Sequence, residues 1–173
     1  QLLTFSLLGT RAGSVLGAVF CHVRGGGVEW ECIKGIRSAA SLPPGAVLAL
    51  EVEDPRASFP PKRTQEGGRL AAGKDVSEAL AGSFANVADS GIWSAAIRGE
   101  KTGRAKRKDE TPYEYIPVLC VQRTNGLSRG FGAGWDIVLP SGWGMPFWIS
   151  LLYANGGRAA GQRELRFFAL ESA

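Results

Sequence analysis

Histidine is almost missing from this chain. His22 is the single one in 173 residues, and the three cysteines (Cys21, Cys32, Cys120) are an odd number with no Cys-x-x-Cys pair. General acid–base catalysis is left with one imidazole, at the end of an apolar stretch, where a capping or core-edge role is the ordinary use. The cysteine count excludes a disulfide framework and a zinc knuckle, which need paired cysteines or four ligands at characteristic spacing. Cys21, His22 and Cys32 supply three ligands at most, so neither metal nor cofactor is expected, and burial among apolar neighbours is the usual fate of such cysteines. No serine or cysteine stands in a nucleophile-elbow pattern, which leaves a hydrolase triad without its nucleophile. Leu2–Leu8 has no basic leader and no small-residue cleavage site, so no signal peptide is expected.

What the chain does have is an aromatic block. Phe131 to Tyr153, FGAGWDIVLPSGWGMPFWISLLY, holds three of the five tryptophans and a single charge, Asp136. Roughly 20 apolar residues suffice for a spanning helix, but Gly132, Gly134, Gly142, Gly144, Pro140 and Pro146 divide the block into a loop, a strand and a helix start. No membrane segment is expected. The 45% hydrophobic content supports one core of ordinary size, and the net charge of +4 with a pI near 9.2 leans weakly towards an anionic partner.

Along the chain, Leu2–Leu8 reads as a strand, and Ala12, Val15, Leu16, Val19 and Phe20 recur at helical spacing with Thr10 as the expected cap. Val28 to Ile36 fits either an alternating strand or a helical stripe and stays open. Ala46–Val52 reads as a buried strand bounded by Pro43-Pro44 and Asp54-Pro55, and Asp75–Leu80 as a short helical turn. Ile116–Val121 is a strand whose Pro117 argues for a sheet edge. Trp135–Leu139 is another strand, and Met145–Ala154 a helix with Pro146 in its first turn, ended by Asn155-Gly156. The irregular alternation predicts an α+β fold with a mixed, largely antiparallel sheet and packed helices. The glycines of Gly126–Gly134 lack the Gly-Lys-Ser/Thr ending of a phosphate loop and read as a connection between paired strands.

Several blocks carry a resemblance. GWDIVLPSGWGMPFWISLLY, with Arg158 and Arg163-Glu164 after it, resembles the POPLD region of the large Pop-family protein subunit of eukaryotic ribonuclease P and ribonuclease MRP. LPPGAVLALEVEDPRASFPPK (Leu42–Lys62) is similar to the family's strand, Asp-Pro-Arg turn and proline pair, and Phe5–Leu16 and Ile92-Trp93 are weaker echoes. Tyr153 is followed by one residue more than the family's Tyr-x-Gly-x-Arg step, which displaces Arg158 from its expected position. The chain begins at Gln1 and stops at Ala173, so a fragment of a larger protein is expected, one domain over 1–173 with an insertion-like region over 57–112. The resemblance implies the fold of the folate-binding aminomethyltransferase of the glycine-cleavage system. It also implies a non-enzymatic role in pre-tRNA and pre-rRNA processing in nucleus and nucleolus. The partners would be ribonuclease P RNA, MRP RNA and other protein subunits.

The residues themselves name candidates for RNA contact. Arg98 to Lys108, RGEKTGRAKRK, has Arg98, Lys101, Arg104, Lys106, Arg107 and Lys108 against one acid; such cations neutralise phosphates and release counterions. Arg56, Lys62 and Arg63 form a second patch, held outward by Pro60 and Pro61, and Arg158 and Arg163 a third. Trp135, Asp136, Pro140, Gly142, Trp143, Gly144, Phe147 and Trp148 form the structural motif, with core packing the expected use of its tryptophans. Asp54 before proline is expected to start a turn, and Asp136 to be a partly buried carboxylate held by backbone donors or arginine. Two other classes remain open: a folate-dependent one-carbon transferase and a pure protein-interaction module.

Overall fold

The computed structural model describes residues 1–35, 39–42, 45–62, 105–106, 112–113, 115–123, 132–154 and 157–171. The expected Asp75–Leu80 turn, Ile92-Trp93, Pro43-Pro44, most of the 57–112 region and residues 126–131 of the Gly126–Gly134 loop lie outside them.

Seven strands and four α-helices are described: β1 (Leu2–Leu8), α1 (Ala12–Val19), β2 (Val23–Arg24), α2 (Gly27–Gly35), β3 (Val47–Glu53), β4 (Ala105–Lys106), β5 (Pro112–Tyr113), β6 (Tyr115–Arg123), β7 (Gly134–Pro140), α3 (Gly144–Tyr153) and α4 (Gln162–Glu171). Short 3-10 turns occupy Ala39–Ser41, Pro55–Ser58 and Ser141–Trp143. β1, β7, β6, β3 and β2 form one sheet in that order, and β4 pairs with β5 separately. Every described ladder is antiparallel, so the sheet is not mixed among the described residues. The fold is α+β.

The register sorts the side chains into two faces. Phe5, Ile137, Cys120 and Leu48 stand in one row across the sheet. With Leu50, Val52, Ile116, Val118, Trp135 and Leu139 they meet Val15, Leu16 and Val19 of α1, Trp30 and Ile33 of α2, and Phe147 and Leu151 of α3. Phe20 ties these helices together, stacked on Trp30 at 5.6 Å and edge-on to Phe147 at 5.9 Å. Fully burying a side chain of this size contributes roughly 1.5–3 kcal/mol, so this layer supplies the main driving force of the fold. The opposite row, Ser6, Asp136, Val121 and Val47, is only partly covered.

Several expectations are corrected. α1 starts with Arg11 at the N-cap and no side-chain cap bond, so Thr10 does not cap it; Ala12 N donates instead to Gly9 O at 3.1 Å. The open segment is a helix, because Trp30 and Ile33, three apart on one face, are both buried. β6 is the central strand, not an edge. Pro117 is tolerated there by parity. Gln122 N donates to Ala46 O, so even-numbered residues of β6 bond β3 and the nitrogen of Pro117 faces β7, beyond the end of that ladder at Leu119. α3 leaves helical geometry at Ala154, one residue before Asn155. α4 was not expected at all; the signal for it is Glu164, whose carboxylate accepts from Gly161 N at 2.9 Å and closes the first turn.

Two buried groups also escape sequence reasoning. Gln122, 3% exposed, holds the 39–45 segment by donating to Ala39 O at 2.6 Å and accepting from Gly45 N at 2.9 Å. Glu53, 5% exposed, hydrogen-bonds through its carboxylate to His22 Nδ1, on a side chain that is 46% exposed. His22→Ala is expected to cost about 1–3 kcal/mol, because the buried carboxylate loses this partner. The urea midpoint reads it, and a change below about 0.5 kcal/mol would contradict the assignment.

Burial pushes the Cys120 thiol up to about 12. Cys120 is therefore expected to resist alkylation at neutral pH until the chain unfolds, while the exposed Cys21 reacts, since the thiolate is the reactive form. Peptide mass analysis after labelling distinguishes the two. Because the folded-state pKa lies above the ordinary value of 9.0, the unfolded chain loses this proton first, and stability falls as pH rises from about 9 towards 12.

Candidate nucleic-acid interface

The chain leaves β3 through Asp54-Pro55-Arg56. Asp54 fixes the turn, as its sequence setting predicts: its Oδ1 accepts from Arg56 N at 2.9 Å. The same carboxylate then takes the side chain of Arg56, through Nε at 3.0 Å to both oxygens and the terminal nitrogen at 2.7 Å. A bidentate pair of this kind fixes a guanidinium plane in direction as well as position. That plane lies over Trp143, 5.2 Å from the ring centroid, with the Arg56 side chain 64% exposed. Phe59 follows and meets Tyr153 edge-on at 5.1 Å. The strand–turn block and the aromatic block, distant in sequence, are thus joined at two places.

α3 has two characters. Gly144, Phe147, Ser150 and Leu151 face the core, whereas Met145, Trp148, Ile149 and Tyr153 are exposed. Trp148 stacks on Phe5 at 5.6 Å. The three tryptophans of the block therefore divide: Trp135 is fully buried, Trp143 carries Arg56, and Trp148 covers the end of the sheet. Gly144 is close-packed, since a Cβ there would stand 2.5 Å from Leu3 Cδ2, while Gly142 has nothing within 4 Å. Pro140 ends β7 and, in extended geometry, occupies the N-cap of the 141–143 turn.

This arrangement meets the comparisons with known proteins. Residues 134–173 match the POPLD (NUC188) domain. The chain is 32% identical over 161 residues to the Ribonucleases P/MRP protein subunit POP1 of Homo sapiens, a match covering 78% of this chain and 16% of that protein. The chain belongs to the POP1 family of ribonuclease P/MRP protein subunits. It spans about one sixth of the length of that curated relative.

Within this POP1-family chain the described candidate cations do not gather in one cluster. Arg56 lies on Trp143, and Lys62 is exposed six residues on. Arg158 lines a groove beside β1 with Trp148 and Leu152, and Arg163 is exposed on α4. Of the basic segment, Ala105–Lys106 is paired with Pro112–Tyr113 through the backbone; Arg63, Arg98, Lys101, Arg104, Arg107 and Lys108 lie outside the described residues. Sequence reasoning missed Arg24, whose guanidinium lies 3.9 Å from the Tyr115 ring centroid. Its partner comes from a distant strand, and no local pattern announces the pair.

Asp136 is held on the partly covered face of the sheet. Ser6 Oγ donates to it at 2.6 Å and Arg123 lies 3.6 Å away, so of the two kinds of partner expected it is arginine that pairs with it, joined by a hydroxyl that was not expected. Among the described residues no group of three or more His, Cys, Asp or Glu side chains comes together to hold a metal ion. No described helix is long and apolar enough to cross a membrane.

Proposed function

We propose that this chain is an RNA-binding scaffold domain of its ribonuclease P/MRP subunit. It holds the catalytic RNA in working shape and docks other protein subunits during pre-tRNA 5′-end and pre-rRNA processing, in nucleus and nucleolus. RNA carries the cleavage chemistry and the protein is an accessory subunit without a reaction of its own. Residues 1–173 form one domain of the larger protein, of the aminomethyltransferase-like folate-binding architecture, with 57–112 as an insertion carrying the basic loop.

The observation that carries the reading is the exposed guanidinium of Arg56, clamped by Asp54 over Trp143 and next to the exposed aromatic and aliphatic face of α3. A fixed cation beside ring faces is suited to a phosphate and an unpaired base together, and stacking contributes roughly 1–3 kcal/mol per base. Arg63, Arg98, Lys101, Arg104, Lys106, Arg107 and Lys108 supply further cations in the sequence, and interactions of this type with the RNA backbone set position without reading sequence. Lys62, Arg158 and Arg163 bind separate phosphates.

Replacing Arg104, Lys106, Arg107 and Lys108 together by alanine tests the loop. Retention of ribonuclease P RNA in the assembled particle is expected to fall. The slope of log affinity against log salt should flatten by about 0.7–0.9 for each phosphate that the variant no longer neutralises. Unchanged retention removes the loop from the interface.

A further inference from the structure

β1 lies at one end of the five-stranded sheet, and the parity of its ladder tells which backbone groups it uses. Gly9 N donates to Ala133 O at 2.9 Å and Ser141 N to Gln1 O at 3.2 Å, both within the register that sets Leu2 opposite Pro140 and Leu8 opposite Gly134. Bonded and unbonded pairs alternate in an antiparallel ladder. Leu3, Phe5 and Leu7 therefore exchange bonds with Leu139, Ile137 and Trp135, while Leu2, Thr4, Ser6 and Leu8 aim their N–H and C=O away from β7. Pro140, which has no N–H, falls in an unbonded pair, as this parity requires. Among the described residues no backbone partner reaches Thr4, Ser6 or Leu8 from the other side.

An edge of this kind is a template for another strand, and native proteins blunt it with lysine, proline, an inward charge or a bulge. LLTFSLL contains none of those residues, and its seven pairs with β7 run without a bulge. Beside it runs a groove of about 390 Å³ lined by Phe5, Trp148, Leu152 and Leu165 together with Arg11 and Arg158. Alternate side chains of an added strand would enter such an apolar groove while its main chain satisfies the free edge.

We infer that β1 is a strand-acceptor site: a sixth strand, supplied by the same polypeptide outside residues 1–173, pairs with β1 and seats alternate apolar side chains in the groove. Two considerations argue for this source. The chain accounts for 16% of the length of its human relative, so a family member has ample polypeptide to supply the strand. An edge strand without lysine, proline, inward charge or bulge, and without a second backbone partner among the described residues, suits permanent pairing, which a tethered segment provides at high effective concentration. The inference uses family membership and backbone parity and is independent of the RNA reading.

Residue-resolved amide exchange on the full-length protein, without RNA or other subunits, tests it. The amides of Thr4, Ser6 and Leu8 are expected to exchange as slowly, within about tenfold, as those of Leu3, Phe5 and Leu7. Thr4→Pro removes only an outward donor, so Ser6 and Leu8 should exchange at least tenfold faster while Phe5 and Leu7 stay slow. If that variant unfolds, the wild-type pattern decides alone. Fast exchange at Thr4, Ser6 and Leu8 in the wild-type protein overturns the inference. Protection that arises only when other subunits or RNA are added also overturns it, because the strand would then come from a partner.

Discussion

Trp135→Ala is expected to lower the unfolding free energy by about 3–5 kcal/mol, the range for deleting a large aromatic side chain from a core. Trp135 is 1% exposed, the largest fully buried side chain among the described residues, and faces Gly13 of α1, Ile33 of α2, Ala39 and Leu42. It sits where β7 meets two helices and the 39–42 segment, so neighbours anchored on separate stretches of chain would have to shift together to fill the space it leaves. For a domain whose whole stability is about 5–15 kcal/mol, such a loss leaves the variant marginal or unfolded. The denaturant midpoint measures it. Trp148→Ala is the control: that ring is 38% exposed and stacked on Phe5, and its loss should cost far less. Equal effects from the two substitutions would contradict the division of the aromatic block into core and surface.

Gly134→Ala should be nearly as damaging for the opposite reason. A Cβ at this position would stand 2.1 Å from the carbonyl oxygen of Leu7 and 2.9 Å from Leu8 Cα. Both are backbone atoms of the paired strand, so no side chain can swing aside and β1 itself must move. Overpacking typically costs about 1–3 kcal/mol and more where the backbone must give, and here the upper end is expected, with β1 loosened from β7. Gly142→Ala provides the comparison. Nothing lies within 4 Å of its Cβ position, so a change within about 0.5 kcal/mol is expected. Thermal unfolding of the two variants side by side reads the contrast, and a mild Gly134→Ala would show that β1 is not held where the register places it.

Where local pattern and tertiary demand agreed, the fold was legible in the sequence. Leu2–Leu8 carries its strand from end to end, and the helix after Trp143 is displaced by one residue only. The turn at Asp54 was legible because Asp-Pro is a local instruction, executed by the carboxylate on Arg56 N. Legibility failed where the deciding neighbour is remote. Val28 to Ile36 fits strand alternation and a helical stripe alike, and the choice of helix over Gly27–Gly35 is made by Trp30, which stacks on Phe20, and Ile33, which enters the same core. Pro117 argued for an edge, but its missing donor matters only on the side where the β7 ladder has already ended. α4 was missed; Leu165, Phe167 and Leu170, its apolar residues among those whose burial is described, are exposed.

The candidate site divides in the same manner. Its composition was readable, since cations and aromatics announce themselves. Its assembly was not, because Arg56 and Trp143 lie on far-separated segments and only the packing of α3 against the 55–58 turn joins them. That joint is also where the two most family-like blocks of the sequence meet, which ties the resemblance to a physical junction rather than to composition.

The central claim is that this domain contributes RNA recognition to the ribonuclease P/MRP particle. Its most direct test is binding of the chain to ribonuclease P RNA and to a length-matched duplex across a salt series. The account predicts tighter binding to the folded RNA, with a salt slope that corresponds to several released counterions. Equal and weak binding to both would contradict it, and would leave the domain as a packing unit of a protein that recognises RNA elsewhere.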